Sequence, residues 1–277
     1  MSTEHIDLKE IHDSLIQIAY RAGEIITTAL PSTGSTGSKK NSADLVTEYD
    51  RAVETMISTV LAERYPDYNF HGEETYDPAN LLTDAPTFVV DPIDGTVNFV
   101  HGFPYACVSL GFAVNRVPVV GVVYNPFNKT LYSAIRGQGA YLNQSTKLPL
   151  NRENLEPLHG LENALIGIEW GSERTGANWE IKVRTFEKLG QTKDKGGAMV
   201  RSMRSMGSAA MNLCAVAAGH LDLYWEGGCW AWDVCAGWII LTEAGGMIVD
   251  GNPGNWKASV DGRKYLAVRA SPGQFKY

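Results

Sequence analysis

Apolar residues near the N-terminus recur at three- and four-residue steps, the spacing that places side chains on one face of a helix. The series comprises Ile11, Leu15, Ile18, Ala22, Ile25 and Ala29. Asp7, with Glu10 three residues further on, resembles a capping box, and Pro31 marks the end of the pattern. A helix is therefore predicted between these limits. A second helix, predicted to end before Pro66, turns five apolar residues inward: Val53, Met56, Ile57, Val60 and Leu61.

Strand signals dominate the middle of the chain. Residues 87–90 form a short β-rich run that ends on Asp91-Pro92. Three further apolar runs are separated by turn residues, so they predict an antiparallel meander over residues 107–114, 119–124 and 131–134.

Helices and strands are mixed in the later half. Strands are predicted over residues 164–168, 247–249 and 265–268, and helices over 178–189, 209–218 and 234–244. This mixture predicts an α/β fold of the α+β type. A soft boundary at residues 150–157 separates an N-terminal α+β lobe (1–150) from a C-terminal α/β lobe (151–277), and we expect the two to share one interface.

Composition and charge narrow the classes of function. The chain has 24 Lys and Arg against 31 Asp and Glu, a formal charge of −7, and no basic tract. Binding to nucleic acid through backbone phosphates is therefore not expected. We expect neither a secretory signal nor a membrane-spanning segment. The four cysteines form no CxxC pair, which predicts reduced core thiols and a cytoplasmic location.

The densest polar cluster is Asp91-Pro92-Ile93-Asp94-Gly95-Thr96, directly after a predicted strand. Asp, Pro and Gly are turn formers, so the cluster alone is also consistent with a simple turn. Further carboxylates at comparable places favour a metal site, since hard divalent cations bind carboxylates, carbonyls and water. These additional residues are Asp50, Glu73, Glu74 and Asp233.

Gly95-Thr96 is predicted to begin a helical turn. The free N–H groups of such a turn could hold a phosphate, with help from the helix dipole. The Thr96 hydroxyl would then orient a water molecule, and Asp50 would accept its proton.

Three motifs resemble those of inositol monophosphatases. They are Gly72-Glu73-Glu74-Thr75, residues 91–104 from Asp91-Pro92-Ile93-Asp94-Gly95-Thr96 to Gly102-Phe103-Pro104, and Trp232-Asp233-Val234-Cys235-Ala236-Gly237. The spacing between them is also that of the family, and the resemblance covers nearly the whole chain.

The resemblance implies a layered α/β/α/β/α sugar-phosphatase fold, usually in a homodimer. The activity it implies is Mg²⁺-dependent, lithium-sensitive hydrolysis of myo-inositol monophosphates, small phosphorylated polyols, by in-line attack of a metal-activated water. A related sugar-phosphate or 3′-phosphonucleotide phosphatase is the alternative, and a homologue that only binds phosphate or a partner is a third possibility. The N-terminal lobe would carry most metal ligands, and the C-terminal lobe Asp233 and the substrate contacts.

Site residues follow from the same resemblance. Two or three Mg²⁺ ions would be held by Glu73, Asp91, the carbonyl of Ile93, Asp94 and Asp233. Glu73 is also expected to be catalytic, because it would touch the weaker third ion through water. Thr96 and Asp50 would position the attacking water, and the amides of Gly95 and Thr96 would bind the phosphate. The substrate side would comprise Gly207, Ser208, Ala209, Glu226 and, from a loop rich in Ser, Thr, Gly and Lys, Lys39.

Three residues near this site have open roles at the level of sequence. Trp230 is predicted to pack in the core or at a dimer contact, and the alternative is that it walls the substrate pocket. Arg201 and Arg204 are predicted to form surface salt bridges, and the alternative is contact with a second phosphate. Glu226 itself has the alternative of a surface acid at a strand end.

Overall fold

The computed structural model describes residues 6–29, 37–38, 45–79, 81–150 and 155–272. Lys39 lies outside these ranges, as does part of the boundary predicted at residues 150–157. Helix α1 spans Leu8–Thr28 and α2 spans Glu48–Arg64. Asp7 caps α1 by accepting the amides of Lys9 and Glu10, both at 3.0 Å, so the first predicted helix is confirmed. Strands β1 (Gly37–Ser38) and β2 (Leu45–Val46) form a small antiparallel pair.

A seven-stranded sheet follows, in the order β3-β4-β5-β6-β7-β8-β9. Its strands are β3 (Asn69–Gly72), β4 (Thr87–Asp94), β5 (Cys107–Val114), β6 (Val117–Asn125), β7 (Thr130–Ile135), β8 (Gly139–Leu142) and β9 (Thr146–Lys147). β3 pairs with β4 in parallel, and every later pair is antiparallel, which confirms the predicted meander. β4 extends beyond the predicted Val90 because Asp91 and Asp94 still pair with β5 across a bulge.

The second sheet has five strands in the order β11-β10-β12-β14-β13. They are β10 (Leu165–Ile168), β11 (Ser202–Arg204), β12 (Leu223–Gly227), β13 (Met247–Asp250) and β14 (Lys264–Val268). The helices are α3 (Thr96–His101), α4 (Gly176–Gly190), α5 (Ala209–Ala218) and α6 (Ala231–Glu243). α6 begins earlier than the predicted residue 234, because Asp233 accepts the Trp230 amide at 2.6 Å and so caps the first turn.

The layers stack as α/β/α/β/α, which confirms the predicted fold class. α1 and α2 share one core with the first sheet, and α5 and α6 share a second core with both sheets. α6 lies directly on the first sheet, since a Cβ added at Gly121 of β6 would stand 2.4 Å from the Ala236 carbonyl. α4 packs beside the second sheet, where Phe186 stacks on Trp170, two residues after the end of β10, at 4.1 Å.

The two sheets come from different halves of the chain, yet α6 from the later half packs on the sheet of the earlier half. The division into lobes at residue 150 stays a prediction. All four cysteines are free and buried, as predicted. No helix within the described ranges combines the length and apolarity that crossing a bilayer requires.

Candidate active site

Three aspartates from two distant parts of the chain meet in one cavity. β4 ends with Asp91 and Asp94, and the first turn of α6 supplies Asp233. One carboxylate oxygen from each residue lies within 4.8 Å of the others. Asp91 is 2% exposed and Asp94 8%, while Asp233 is partly exposed. We call these three residues the carboxylate cluster.

Burial and mutual repulsion raise the pKa values of the whole carboxylate cluster. The pKa of Asp91 is raised well above its usual value by burial first, and then by the charges of Glu73, Asp94 and Asp233. Burial raises the pKa of Asp94 to about 6. The pKa of Asp233 is also raised by burial, and then by Asp94 and Glu73. Buried anions so close together need a cation, and an all-oxygen donor set fits a hard divalent metal ion. The cluster is therefore suited to hold a hard divalent metal ion.

Asp94 is held in place by the start of α5. Its Oδ2 accepts the Ser208 hydroxyl at 2.6 Å and the Ala210 amide at 2.7 Å. Ser208 is also the N-cap of α5, since its Oγ accepts the Met211 amide at 3.2 Å. The Ser208 hydroxyl thus orients Asp94, a role that was not predicted from sequence.

Thr96 and Asp50 are hydrogen-bonded beside the carboxylate cluster. Thr96 Oγ1 lies 3.1 Å from Asp50 Oδ1 and 3.1 Å from the Ile93 carbonyl oxygen. Asp50 is fixed by the capping box of α2, in which its Oδ2 accepts both the amide and the hydroxyl of Thr47. Burial raises the pKa of Asp50, and the hydrogen bonds from Thr47 oppose the rise.

Glu73 lies at the exit of β3, where its amide donates to the Val90 carbonyl at 3.2 Å. The next residue is held from α2, because Glu54 Oε2 accepts the Glu74 amide at 2.8 Å. Glu54 is fully buried, and its other carboxylate oxygen has no hydrogen-bond partner in the described part of the chain. Sequence reasoning did not select Glu54, although a charged residue on the inward face of α2 is a usable signal.

Gly95 and Gly207 approach each other closely. Gly95 has a φ of 92°, and a Cβ there would stand 3.1 Å from the Gly207 carbonyl oxygen. Asn98 joins the same two segments, since its Nδ2 donates at 2.7 Å to both the Tyr105 and the Met206 carbonyls. α3 and the residue-207 loop are thus connected into one wall of the cavity.

Glu226 lies in this cavity, whose volume is about 670 Å³. It is 8% exposed, so the alternative of a surface acid is wrong. The Tyr224 hydroxyl donates to its Oε2. Burial raises the pKa of Glu226 to about 7, the charge of Glu169 adds to the rise, and the charge of Lys182 opposes it.

Glu169 and Lys182 also line the cavity, and sequence reasoning missed both. Glu169 Oε1 accepts the amides of Met206 at 2.6 Å and Gly207 at 2.9 Å, so it shapes the residue-207 loop. Its place directly after a predicted strand is a signal that could have found it. Lys182 lies within α4 and had no such signal. We call Glu169, Lys182 and Glu226 the mixed-charge group.

Trp230 walls the cavity and also packs against its neighbours. It stacks on Trp232 at 5.2 Å, and the Arg263 guanidinium lies 3.5 Å from the centre of its ring. Packing and lining of the pocket therefore each describe part of the environment of Trp230, and the dimer contact stays a prediction. Arg201 and Arg204 are exposed and outside the cavity, where Arg201 donates to Asn163 at 3.1 Å.

The structure superimposes on that of the inositol monophosphatase from Anabaena (Nostoc) sp. PCC 7120 with a TM-score of 0.74 at 28% identity, covering 96% of this chain and 93% of that one. A family model described as the inositol monophosphatase family matches residues 7–274. The chain belongs to the inositol monophosphatase family, as the sequence motifs indicated.

Individual relatives agree with this assignment. Inositol monophosphatase 2 of Saccharomyces cerevisiae is 50% identical over 235 residues, covering 83% of this chain and 78% of that protein. Inositol monophosphatase 1 of the same yeast is 44% identical over 274 residues, covering 96% and 90%. The crystal structure of extragenic suppressor protein suhB from Bartonella henselae superimposes with a TM-score of 0.77 at 30% identity, covering 94% of each chain.

Proposed function

We propose that the chain hydrolyses myo-inositol monophosphates to inositol and phosphate in this cavity. The observation that carries the proposal is the carboxylate cluster beside the Thr96–Asp50 hydrogen bond, with Glu226 in the same cavity. Similarity to two yeast inositol monophosphatases supports this substrate over another sugar phosphate or a 3′-phosphonucleotide.

Mg²⁺ is the metal that we assign to the site, as two or three ions. Glu73, Asp91 and the Ile93 carbonyl would hold one ion, and the carboxylate cluster would hold a second. Glu73 would reach a weaker third ion through water. Mg²⁺ prefers such oxygen donors and keeps several waters. When bound, the ions neutralise phosphate charge and lower the pKa of a water molecule.

Thr96 and Asp50 would accept the proton of the attacking water in a relay. Because Thr96 Oγ1 donates to Asp50 Oδ1, its lone pairs are available to accept a hydrogen bond from that water. As the water attacks phosphorus and the bond from phosphorus to the inositol oxygen breaks, the proton of the water would pass to Thr96 Oγ1 while the threonine proton passes to Asp50 Oδ1. The released inositol oxygen would take a proton from solvent. Burial raises the pKa of Asp50, which makes the carboxylate a better proton acceptor.

Backbone amides and Glu226 would bind the substrate. The amides of Gly95 and Thr96 would hold the phosphate, and Gly207, Ala209 and Glu226 would face the inositol ring. Ser208 would contribute through its backbone, since its hydroxyl donates to Asp94. Lys39, outside the described residues, would close over the site.

Three finer proposals come from the family resemblance. The chain would form a homodimer and work in the cytoplasm. Li⁺ would inhibit it by taking the second metal position after hydrolysis.

Turnover of inositol 1-phosphate by the full chain with Mg²⁺ tests the proposal. We expect phosphate release that is faster than from 3′-phosphoadenosine nucleotide or fructose bisphosphate. Release from one of those two alone would assign a related phosphatase instead. No release from any of the three would indicate a protein that only binds phosphate or a partner.

A further inference from the structure

Lys182 differs from every other residue of α4 in the burial of its side chain. It is 1% exposed and is the one buried residue of that helix. A buried ammonium is costly unless it is hydrogen-bonded or paired, and lysine is almost never fully buried without such partners. The side chain of Lys182 crosses from the helix to the substrate cavity, which it lines together with Glu226.

The ammonium of Lys182 has more hydrogen-bond donors than the described part of the chain uses. Nζ donates to the Trp170 carbonyl at 2.9 Å, its one hydrogen bond to the described residues. An ammonium carries three N–H donors, so two are left. Glu226 is complementary, because its Oε2 accepts the Tyr224 hydroxyl while its Oε1 accepts from no described residue.

The unused donors and the unused acceptor face the same small space next to Gly171. A Cβ added at Gly171 would stand 2.6 Å from Lys182 Nζ and 3.5 Å from Glu226 Oε1. Gly171 has no side chain, so this space stays open to the cavity. A ligand hydroxyl in that space can donate to Oε1 and accept from Nζ at the same time, because a hydroxyl has one donor and two lone pairs.

We propose that Lys182 is a substrate-binding residue that selects hydroxylated rings. Its ammonium would donate a hydrogen bond to a ring hydroxyl, and the same hydroxyl would donate a hydrogen bond to Glu226. The inference rests on the proposed function, which supplies a cyclic polyol phosphate as the substrate class. A mixed pair of donor and acceptor recognises a hydroxyl better than either charge alone. An aromatic or simple alkyl leaving group has no hydroxyl for this pair.

Substitution of Lys182 tests the proposal on two substrates. K182M keeps the length of the side chain and removes its donors, and K188M is the matched control, an exposed lysine on the same helix. For K182M we expect kcat/KM for inositol 1-phosphate to fall about 10–100-fold, as for a lost hydrogen bond to a charged group. Hydrolysis of p-nitrophenyl phosphate should change by less than about threefold, and K188M should match the wild type on both.

A double-mutant cycle with Glu226 separates substrate binding from a structural role. If both side chains bind one hydroxyl, K182M/E226Q should lose little more inositol 1-phosphate activity than the worse single variant. K182R retains a charged donor in a different geometry, so its selectivity should fall between wild type and K182M. It also gives a folded variant if K182M fails to fold, as judged by thermal unfolding.

Three outcomes would overturn the role of Lys182. K182M could lose activity equally on both substrates, or the losses of K182M and E226Q could be additive in the cycle. Alternatively, K182M could be unfolded and inactive while K182R keeps wild-type selectivity for inositol 1-phosphate. Those outcomes leave the proposed function intact. A wild-type protein that hydrolyses p-nitrophenyl phosphate with Mg²⁺ but not inositol 1-phosphate would overturn the proposed function, and this inference with it.

Discussion

The carboxylate cluster and the mixed-charge group occupy one cavity but are assembled differently. Two members of the cluster and the neighbouring Thr96 come from one continuous run of chain, and the bulge at the end of β4 fixes their relative positions. Each member of the mixed-charge group comes from a separate element: Glu169 follows β10, Lys182 lies in α4 and Glu226 in β12. Local chain geometry therefore sets the positions of Asp91, Asp94 and Thr96, and only Asp233 is added from α6, whereas packing of separate elements sets the whole mixed-charge group.

The difference implies that reaction and selectivity can be changed independently. Substitutions near the carboxylate cluster should affect every phosphomonoester, whereas those in the mixed-charge group should affect ring substrates most. The following predictions test this separation, beginning with the largest effect.

Removal of divalent metal should abolish hydrolysis of all substrates. Without cations, Asp91, Asp94, Asp233 and Glu73 repel one another and the phosphate alike. We expect activity to fall to background after thorough chelation and to return on addition of Mg²⁺, as measured by phosphate release. Inositol 1-phosphate and p-nitrophenyl phosphate should respond equally, and residual turnover of either would contradict a metal-dependent site.

Thr96→Ala should lower kcat far more than it raises KM, on both substrates. The hydroxyl is hydrogen-bonded to Asp50 and would act on the water in the transition state, while amides and metal hold the phosphate. General-base assistance contributes about 10²–10⁴-fold, so a loss in that range is expected. Thr96→Ser retains the hydroxyl and is the control. A normal kcat in the alanine variant would mean that the water needs no help from Thr96.

Glu226→Gln should lower kcat/KM for inositol 1-phosphate about 10–100-fold, because a carboxylate accepts hydroxyl hydrogen bonds more strongly than an amide. Glycerol 2-phosphate, which lacks the ring hydroxyls, should be affected much less. The metal requirement should not change. Steady-state kinetics on the two substrates measures the effect, and equal losses would assign Glu226 to the fold or the metal site.

The metal-free protein should lose stability as pH rises from about 4 to 6. Asp94 in the unfolded chain ionises near its ordinary pKa of 3.8, whereas burial raises its pKa in the folded chain to about 6. The folded state thus binds more protons in this window, so the free energy of unfolding falls as pH increases. Calorimetric unfolding of the chelated protein measures this slope. Mg²⁺ should reduce it, and a slope unaffected by Mg²⁺ would argue against metal binding at Asp94.

Sequence reasoning reached the carboxylate cluster because its residues stand in recognisable motifs with a chemical purpose. The long helices and the meander were also predictable, since their apolar periodicity is strong. β3, β8, β9 and β11 were not predicted, because they are short and, unlike the equally short β10 and β13, contain almost no β-branched residues. Lys182 could not be found, because only tertiary packing shows that one lysine of an otherwise exposed helix points inward.

The close contact between α6 and the first sheet means that packing in the protein interior helps to position a residue of the carboxylate cluster. α6 carries Asp233 one turn before Ala236, whose carbonyl approaches Gly121 too closely for any side chain there. A larger residue at Gly121 would displace the helix and draw Asp233 away from Asp91. An inherited change at this glycine, outside the cavity, would therefore present as a loss of enzyme activity rather than as a defect of folding alone.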